Sequence, residues 1–479
     1  MKRETFIYII VVFGISLGVF FLLHLGNQMT PSVAAGQFAI GQVAASPSVP
    51  SSMAGELRQH ASDPLARLFL QLLVILAASW LVGRLFLKLG QPAVVGEMMA
   101  GILLGPSLFG FLAPDTFHYV FAPESLGPLK LFSQIGVCLF MFVVGMELNL
   151  EHVRRKAHTA VVVSHASIVI PFFLGVLLAL GIYRDFAQPG ASFMAFALFL
   201  GISMSITAFP VLARILRERG MTTSVLGVTV TTCAAVDDVT AWSILAFVVA
   251  IVRSASLASA AISLVLVLVF VSFMFRVVKP LLPSWLGRET LEAPEPDKGV
   301  LALVIGIVLA SAFTTEMIGV HALFGSFLAG TIMPAAADFR HRLAVRVETL
   351  SSILLLPLFF AFTGLRTQLG LLHGSSGWLL TLGVIALATL GKLGGSTITA
   401  RFTGVPWNEA LQLGALMNTR GLMELIALNI GLDLGILSPR IFASLVIMAL
   451  ATTAMTGPLL TFLQKRQTAS EEHPLPAAA

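Results

Sequence analysis

The chain has 479 residues, 57% of them hydrophobic and 11% charged, with a formal net charge of +5. A soluble globular protein carries about 25% charged residues, so this composition, with its repeated long apolar runs, predicts an all-α polytopic membrane protein. Long continuous runs, where a β-barrel would have short alternating strands, exclude an outer-membrane barrel. The basic residues lie mainly in short loops between apolar runs, which excludes a nucleic-acid surface.

Met1–Glu4 precedes an apolar run, so residues 1–24 form a signal-anchor or signal helix. The apolar length favours an anchor over a cleaved peptide. The Ser/Pro/Ala/Gly-rich stretch 25–64 is expected to be a flexible extracytoplasmic linker. From 65 to 463 the pattern gives about thirteen core spans. Arg84 and Lys88, Arg154 to Lys156, Arg217 and Arg219, Lys279, Arg340 and Arg342, Arg401, and Lys465 and Arg466 all fall on one side of that topology. That side is expected to be cytoplasmic, with the short tail 464–479 on it. The expected location is the cell membrane, the inner one in a Gram-negative cell. The two cysteines, Cys138 and Cys233, both lie in apolar runs and make neither a disulfide framework nor a metal site. No phosphate loop, HExxH or GxSxG motif occurs, so no cofactor is expected.

The polar loop 279–298 divides the core into repeat one (about 66–252), a connector helix (257–278) and repeat two (about 299–463). VVGEMMAGILLGP (94–106) and LFGSFLAGTIMP (323–334) share Gly-x-x-x-Ala-Gly and lie seven spans apart. An odd offset means inverted topology, the arrangement of many transporters, although Gly-x-x-x-small also serves ordinary helix packing. Two further spans, again seven apart, look interrupted. SMSITAFPVLARIL (203–216) carries Pro210 with Ser203, Ser205 and Thr207 beside it. LMNTRGLMELIALNIG (416–431) carries Asn418, Thr419, Arg420, Gly421 and Glu424. Arg420 and Glu424 stand at i,i+4, so a structural ion pair and direct ion handling are equally open. Interrupted helices at matching positions point to a midplane ion site.

The chemistry centres on Asp237 and Asp238, adjacent acids in an apolar run with no basic residue from 222 to 252. Intramembrane acids mark ion or proton paths. Successive helical positions are about 100° apart, so one acid faces a counter-charge while the other faces a water-filled path. Lys392, among Gly391, Gly394 and Gly395, is the expected counter-charge. Asp237 is expected to pair with it, leaving Asp238 to hold the cation. Thr207 and the opened backbone beside it are expected to add oxygen ligands. Cation and proton would then compete for one carboxylate, and that competition couples them. Glu97, early in its span, either steers cations or supports packing beside Gly96, the latter being favoured. His321 is expected to be a hydrogen-bonded structural histidine.

SITAFPVLARIL, AAVDDVTAW, GKLGGS and NTRGLMELIALNIG together resemble the monovalent cation:proton antiporters, in their Kef-like and plant CHX-type branch. The resemblance covers roughly 66–463. It implies the sodium/proton-antiporter fold with two crossing discontinuous helices, and a homodimer in which a six-helix core moves against a dimerisation domain. By resemblance, Asp237 and Asp238 match the paired acids and Lys392 the opposing lysine, while Thr207 and Asn418 lie in the unwound helices. An Asp-Asp pair with a lysine resembles the electrogenic type. The tail is too short for the regulatory nucleotide-binding domain of Kef-type systems, so none is expected in this chain. The implied function is sodium- or potassium-for-proton antiport. Sodium-coupled symport of an organic solute is the alternative on the same architecture. An intramembrane aspartyl protease needs two acids facing one water, which adjacent positions on one helix do not provide.

Overall fold

A computed structural model describes residues 63–472, apart from 148–156, 223, 254–256, 288–290, 292, 294–295 and 335–338. The expected anchor or signal helix, all but the end of the linker, and the last seven residues lie outside the described residues. The chain is helical: α1 is Pro64–Lys88, α2 Ala93–Leu104, α3 Leu126–Glu147, α4 Ala157–Phe186, α5 Phe193–Ser205, α6 Phe209–Glu218, α7 Val225–Arg253 and α8 Leu257–Phe273. Beyond the polar loop, α9 is Lys298–Ile318, α10 Ala322–Thr331, α11 Phe339–Leu350, α12 Leu356–Arg366, α13 Gly374–Thr389, α14 Gly395–Phe402, α15 Trp407–Met417, α16 Leu422–Asp433 and α17 Pro439–Glu472. Among the described residues, 11 helical stretches are long and apolar enough to cross a membrane.

Local chemistry sets the ends. Ser192 caps α5 by accepting from Ala195 N at 3.2 Å, and Asp297 caps α9 by accepting from Val300 N at 2.8 Å. Gly319, at φ +94°, ends α9 in the left-handed conformation. His321 then caps α10 by accepting from Leu323 N at 3.4 Å. α10 is only 10 residues long, well short of the expected span 320–338 and of the roughly 20 residues a crossing needs. Three other spans are not uniform α-helix. π-turns at Met274–Val278, Ser351–Leu355 and Leu390–Gly394 join α8 to a further helical segment, α11 to α12, and α13 to α14.

The helices pack in two groups. One contains α1, α2, α3 and α9 to α12; the other contains α4 to α7 and α13 to α17; α8 touches both through α7 and α9. The Gly-x-x-x-Ala-Gly segments occupy equivalent positions within the first group. A Cβ on Gly101 of α2 would strike the Phe360 carbonyl of α12, and one on Gly364 of α12 would strike the Gly101 backbone. In the same way Gly330 of α10 lies against Phe142 of α3, and Gly145 of α3 against Phe327 of α10. The shared glycines are there because backbones touch. Gly364→Val is therefore expected to destabilise the protein by about 1–3 kcal/mol through overpacking, seen as a lower melting temperature in detergent.

Candidate functional site

The second group is built around two interruptions. α5 stops at Ser205 and α6 begins at Phe209, with Pro210 in its first turn; α15 stops at Met417 and α16 begins at Leu422. Pro210 has no N–H to continue a helix, and in the first turn of α6 none is needed. The interruptions meet. Ala208 N donates to Thr419 O at 3.0 Å, and the Met417 carbonyl lies 3.3 Å from Thr207 Oγ1.

A helix that ends inside a membrane leaves its last carbonyls without intrahelical partners and carries a partial negative charge there. Two buried cations answer this at the end of α5. Arg420 donates through Nη1 to Ser203 O at 2.8 Å and through Nη2 to Met204 O at 2.6 Å. Lys392 donates from Nζ to the next carbonyl, that of Ser205, and to Ser167 O on α4 at 3.1 Å. The Arg420 backbone is itself held by Thr453 of α17, which accepts from its N–H at 3.0 Å and donates to its carbonyl at 2.8 Å.

Asp237 faces this cluster from α7. Its Oδ2 lies 2.8 Å from Lys392 Nζ and accepts the Thr207 hydroxyl, while its Oδ1 accepts from Ser164 Oγ at 3.3 Å. The hydroxyl of Thr207, expected to add an oxygen ligand, is donated to Asp237. Lys392, which also holds the Ser205 carbonyl, shares Asp237 Oδ2 with Thr207. Asp238 is 1% exposed, and its charge also acts on Lys392. Glu424, in the first turn of α16, presents Oε2 to Arg420 Nη1 at 3.3 Å. Asn418 is buried in the second interruption, with no hydrogen-bond partner on its Oδ1 among the described residues. Ser205 also turns its hydroxyl back to Gly201 O at 2.8 Å and Ile168 O at 3.0 Å. Asp237, Asp238, Thr207, Ser205, Lys392, Asn418, Arg420 and Glu424 are all buried in the second group.

Glu97 stands apart from this cluster. It lines a cavity of about 430 Å³ that runs from Arg217 and Glu348, both exposed, past Arg214 to Ala208 and Leu422 at the two interruptions. Pro210 lines the same cavity. Glu97 thus borders the cavity as well as standing beside Gly96 in α2.

Sequence reasoning missed Ser164 and Ser167. Ser164 acts through its hydroxyl and is a polar residue in the apolar run VVVSHASIVI, whereas Ser167 acts through its backbone carbonyl, which no residue type signals. It also missed the π-turn that carries Lys392, although Gly391, Gly394 and Gly395 mark the place. A π-turn displaces side-chain directions locally and is frequent at functional positions.

Interrupted helices whose ends meet around buried acids and bases, with a cavity leading to them, define an ion-coupled secondary transporter. Residues 72–466 match the family model described as sodium/hydrogen exchanger, transmembrane, and the chain belongs to that family. It is 42% identical over 401 residues to the Na(+)/H(+) antiporter NhaS4 of Synechocystis, covering 83% of this chain and 97% of that protein. It is 32% identical over 409 residues to the K(+)/H(+) antiporter 1 of Saccharomyces cerevisiae, where the match covers 84% of this chain but only 46% of the yeast protein. The fold is that of the sodium proton antiporter MjNhaP1 from Methanocaldococcus jannaschii, with a TM-score of 0.58 at 17% identity, covering 83% of this chain and 99% of that one.

Proposed function

We propose that this chain exchanges a monovalent cation, sodium or potassium, for protons by alternating access, with Asp238 as the carboxylate on which they compete. The observation that carries this is the balance of buried charge. With all five groups ionised, Asp237, Asp238 and Glu424 oppose Lys392 and Arg420, leaving one negative charge in excess among side chains buried in the protein. An uncompensated buried charge is costly. One monovalent cation, or one proton, removes it. Asp237 holds Lys392, Thr207 and Ser164, and the adjacent Asp238, buried on the same helix, is the acid we assign to the exchange. The related proteins named as Na(+)/H(+) and K(+)/H(+) antiporters support both cation choices.

Hard monovalent ions are bound through oxygen, and the two interruptions carry carbonyls and hydroxyls that could supply it. In this reading the 430 Å³ cavity is the cytoplasmic entrance, because Arg214 and Arg217 lie on the side rich in basic loops. Glu97 and Glu348 would draw cations into it. The chain would work as a homodimer, its ion group moving against the other group.

Reconstituted protein under an imposed pH gradient should dissipate that gradient when sodium or potassium is added. Asp238→Asn is expected to reduce this flux by about 100-fold or more, the loss of one strong charge-assisted contact. In the wild type, the cation concentration for half-maximal flux should rise as pH falls. Flux indifferent to both cations in folded protein would end the antiport reading and bring organic-solute symport forward.

A further inference from the structure

Helices α3, α12 and α16 converge at two levels, and the two levels differ. At one level Phe140 and Val144 of α3, Phe360 of α12 and Leu422 of α16 line the 430 Å³ cavity. At the other, Lys130 and Val137 of α3, Phe362 and Arg366 of α12, and Asn429 and Asp433 of α16 leave only about 30 Å³, the share of a single water. α3 and α12 belong to the first group, while α16 begins at an interruption of the ion site and belongs to the second. The same three helices are therefore parted on one side of the site and shut on the other.

The shut end is held by charge. Asp433 Oδ2 lies 3.0 Å from Lys130 Nζ, and its Oδ1 accepts from Arg366 Nη2 at 2.6 Å. Arg366 Nη1 donates to Asn429 Oδ1 at 2.9 Å, and Asn429 Nδ2 donates to Thr363 Oγ1 of α12 at 2.8 Å. Every one of these contacts joins α16 to α3 or α12. Asp433 is the last residue of α16, where the helix dipole disfavours an acid. Its own helix gives it no support, so its stabilisation comes from the two cations of the other group.

We propose that Lys130, Arg366, Asn429 and Asp433 form a latch between the two helix groups, closing the far side of the ion site while the cavity side is open. Opening the far side separates Asp433 from Lys130 and Arg366. The contacts are only partly buried, with side-chain exposures of 39% for Lys130, 21% for Arg366 and 29% for Asp433. Water can therefore replace them when the groups part, which suits a contact made and broken in every cycle. The latch rests on the alternating-access reading given above.

The test uses the full chain in sealed vesicles, with Cys138 and Cys233 replaced by alanine and Ile426→Cys, at the shut end, as reporter. Its rate of modification by a membrane-impermeant thiol reagent is measured from the side of Lys130. Asp433→Asn is expected to raise that rate about tenfold, as a shift toward the far-open state within ordinary coupling energies, while Asp433→Glu leaves it near the starting value. An unchanged rate in well-folded Asp433→Asn protein overturns the latch. Lys130→Ala, which removes one contact at the exposed end of α3, gives the same readout if Asp433→Asn does not fold. Cation-driven proton flux is measured separately on the wild type. Its absence would remove the antiport reading, whereas the thiol result bears on the latch alone.

Discussion

Lys392→Ala is expected to lower the stability of the folded chain by about 3–5 kcal/mol, the cost of leaving one member of a buried ion pair uncompensated, and to abolish exchange. The lysine holds Asp237 Oδ2 at 2.8 Å, the Ser167 carbonyl at 3.1 Å and the Ser205 carbonyl. Its removal leaves an acid and a helix end exposed to each other in a dry interior. The pair Lys392→Ala with Asp237→Asn should recover much of the lost stability, because it restores the wild type's balance of buried charge, yet it should not recover exchange. Melting in detergent and proton flux in liposomes measure the two effects separately. If Lys392→Ala melts like the wild type, the ion pair does not hold the site together.

Arg420→Leu should cost a similar amount, about 3–5 kcal/mol, by a different route. It uncaps Ser203 and Met204 at the end of α5 and strands Glu424 in the core. Adding Glu424→Leu removes the stranded charge but leaves the carbonyls uncapped. The double variant should therefore melt above the single one and below the wild type. A double variant no better than the single one would place the whole cost in the carbonyl caps, each lost hydrogen bond to a charged group being worth about 1.5–3 kcal/mol. The two cations thus divide one task, neutralising the carbonyl end of a half-helix that stops inside the protein.

Much of this was legible in the chain itself. Asp237, Asp238 and Lys392 stand out because a charge in an apolar run is costly enough to need a reason, and Pro210 and the Asn418–Gly421 stretch stand out because they break helices. The family resemblance lay in the same segments, and the family match runs over 72–466. The Gly-x-x-x-Ala-Gly echo was visible as pattern. Which backbones it brought together was not: Gly101 meets Phe360, and Gly330 meets Phe142.

What the sequence determined alone was therefore the kind of protein, its all-helical class and the few residues too costly to be incidental. All of these follow from periodicity and from the price of charge in hydrocarbon. Tertiary structure decided the partners. Thr207 serves Asp237; the Ser164 hydroxyl and the Ser167 backbone carbonyl close the site from α4; Glu97 borders a cavity. Lys130, Arg366 and Asp433 look like ordinary interfacial charges until three helices from distant parts of the chain converge. Such assignments depend on direction and on approach between segments up to several hundred residues apart, and no local pattern encodes either.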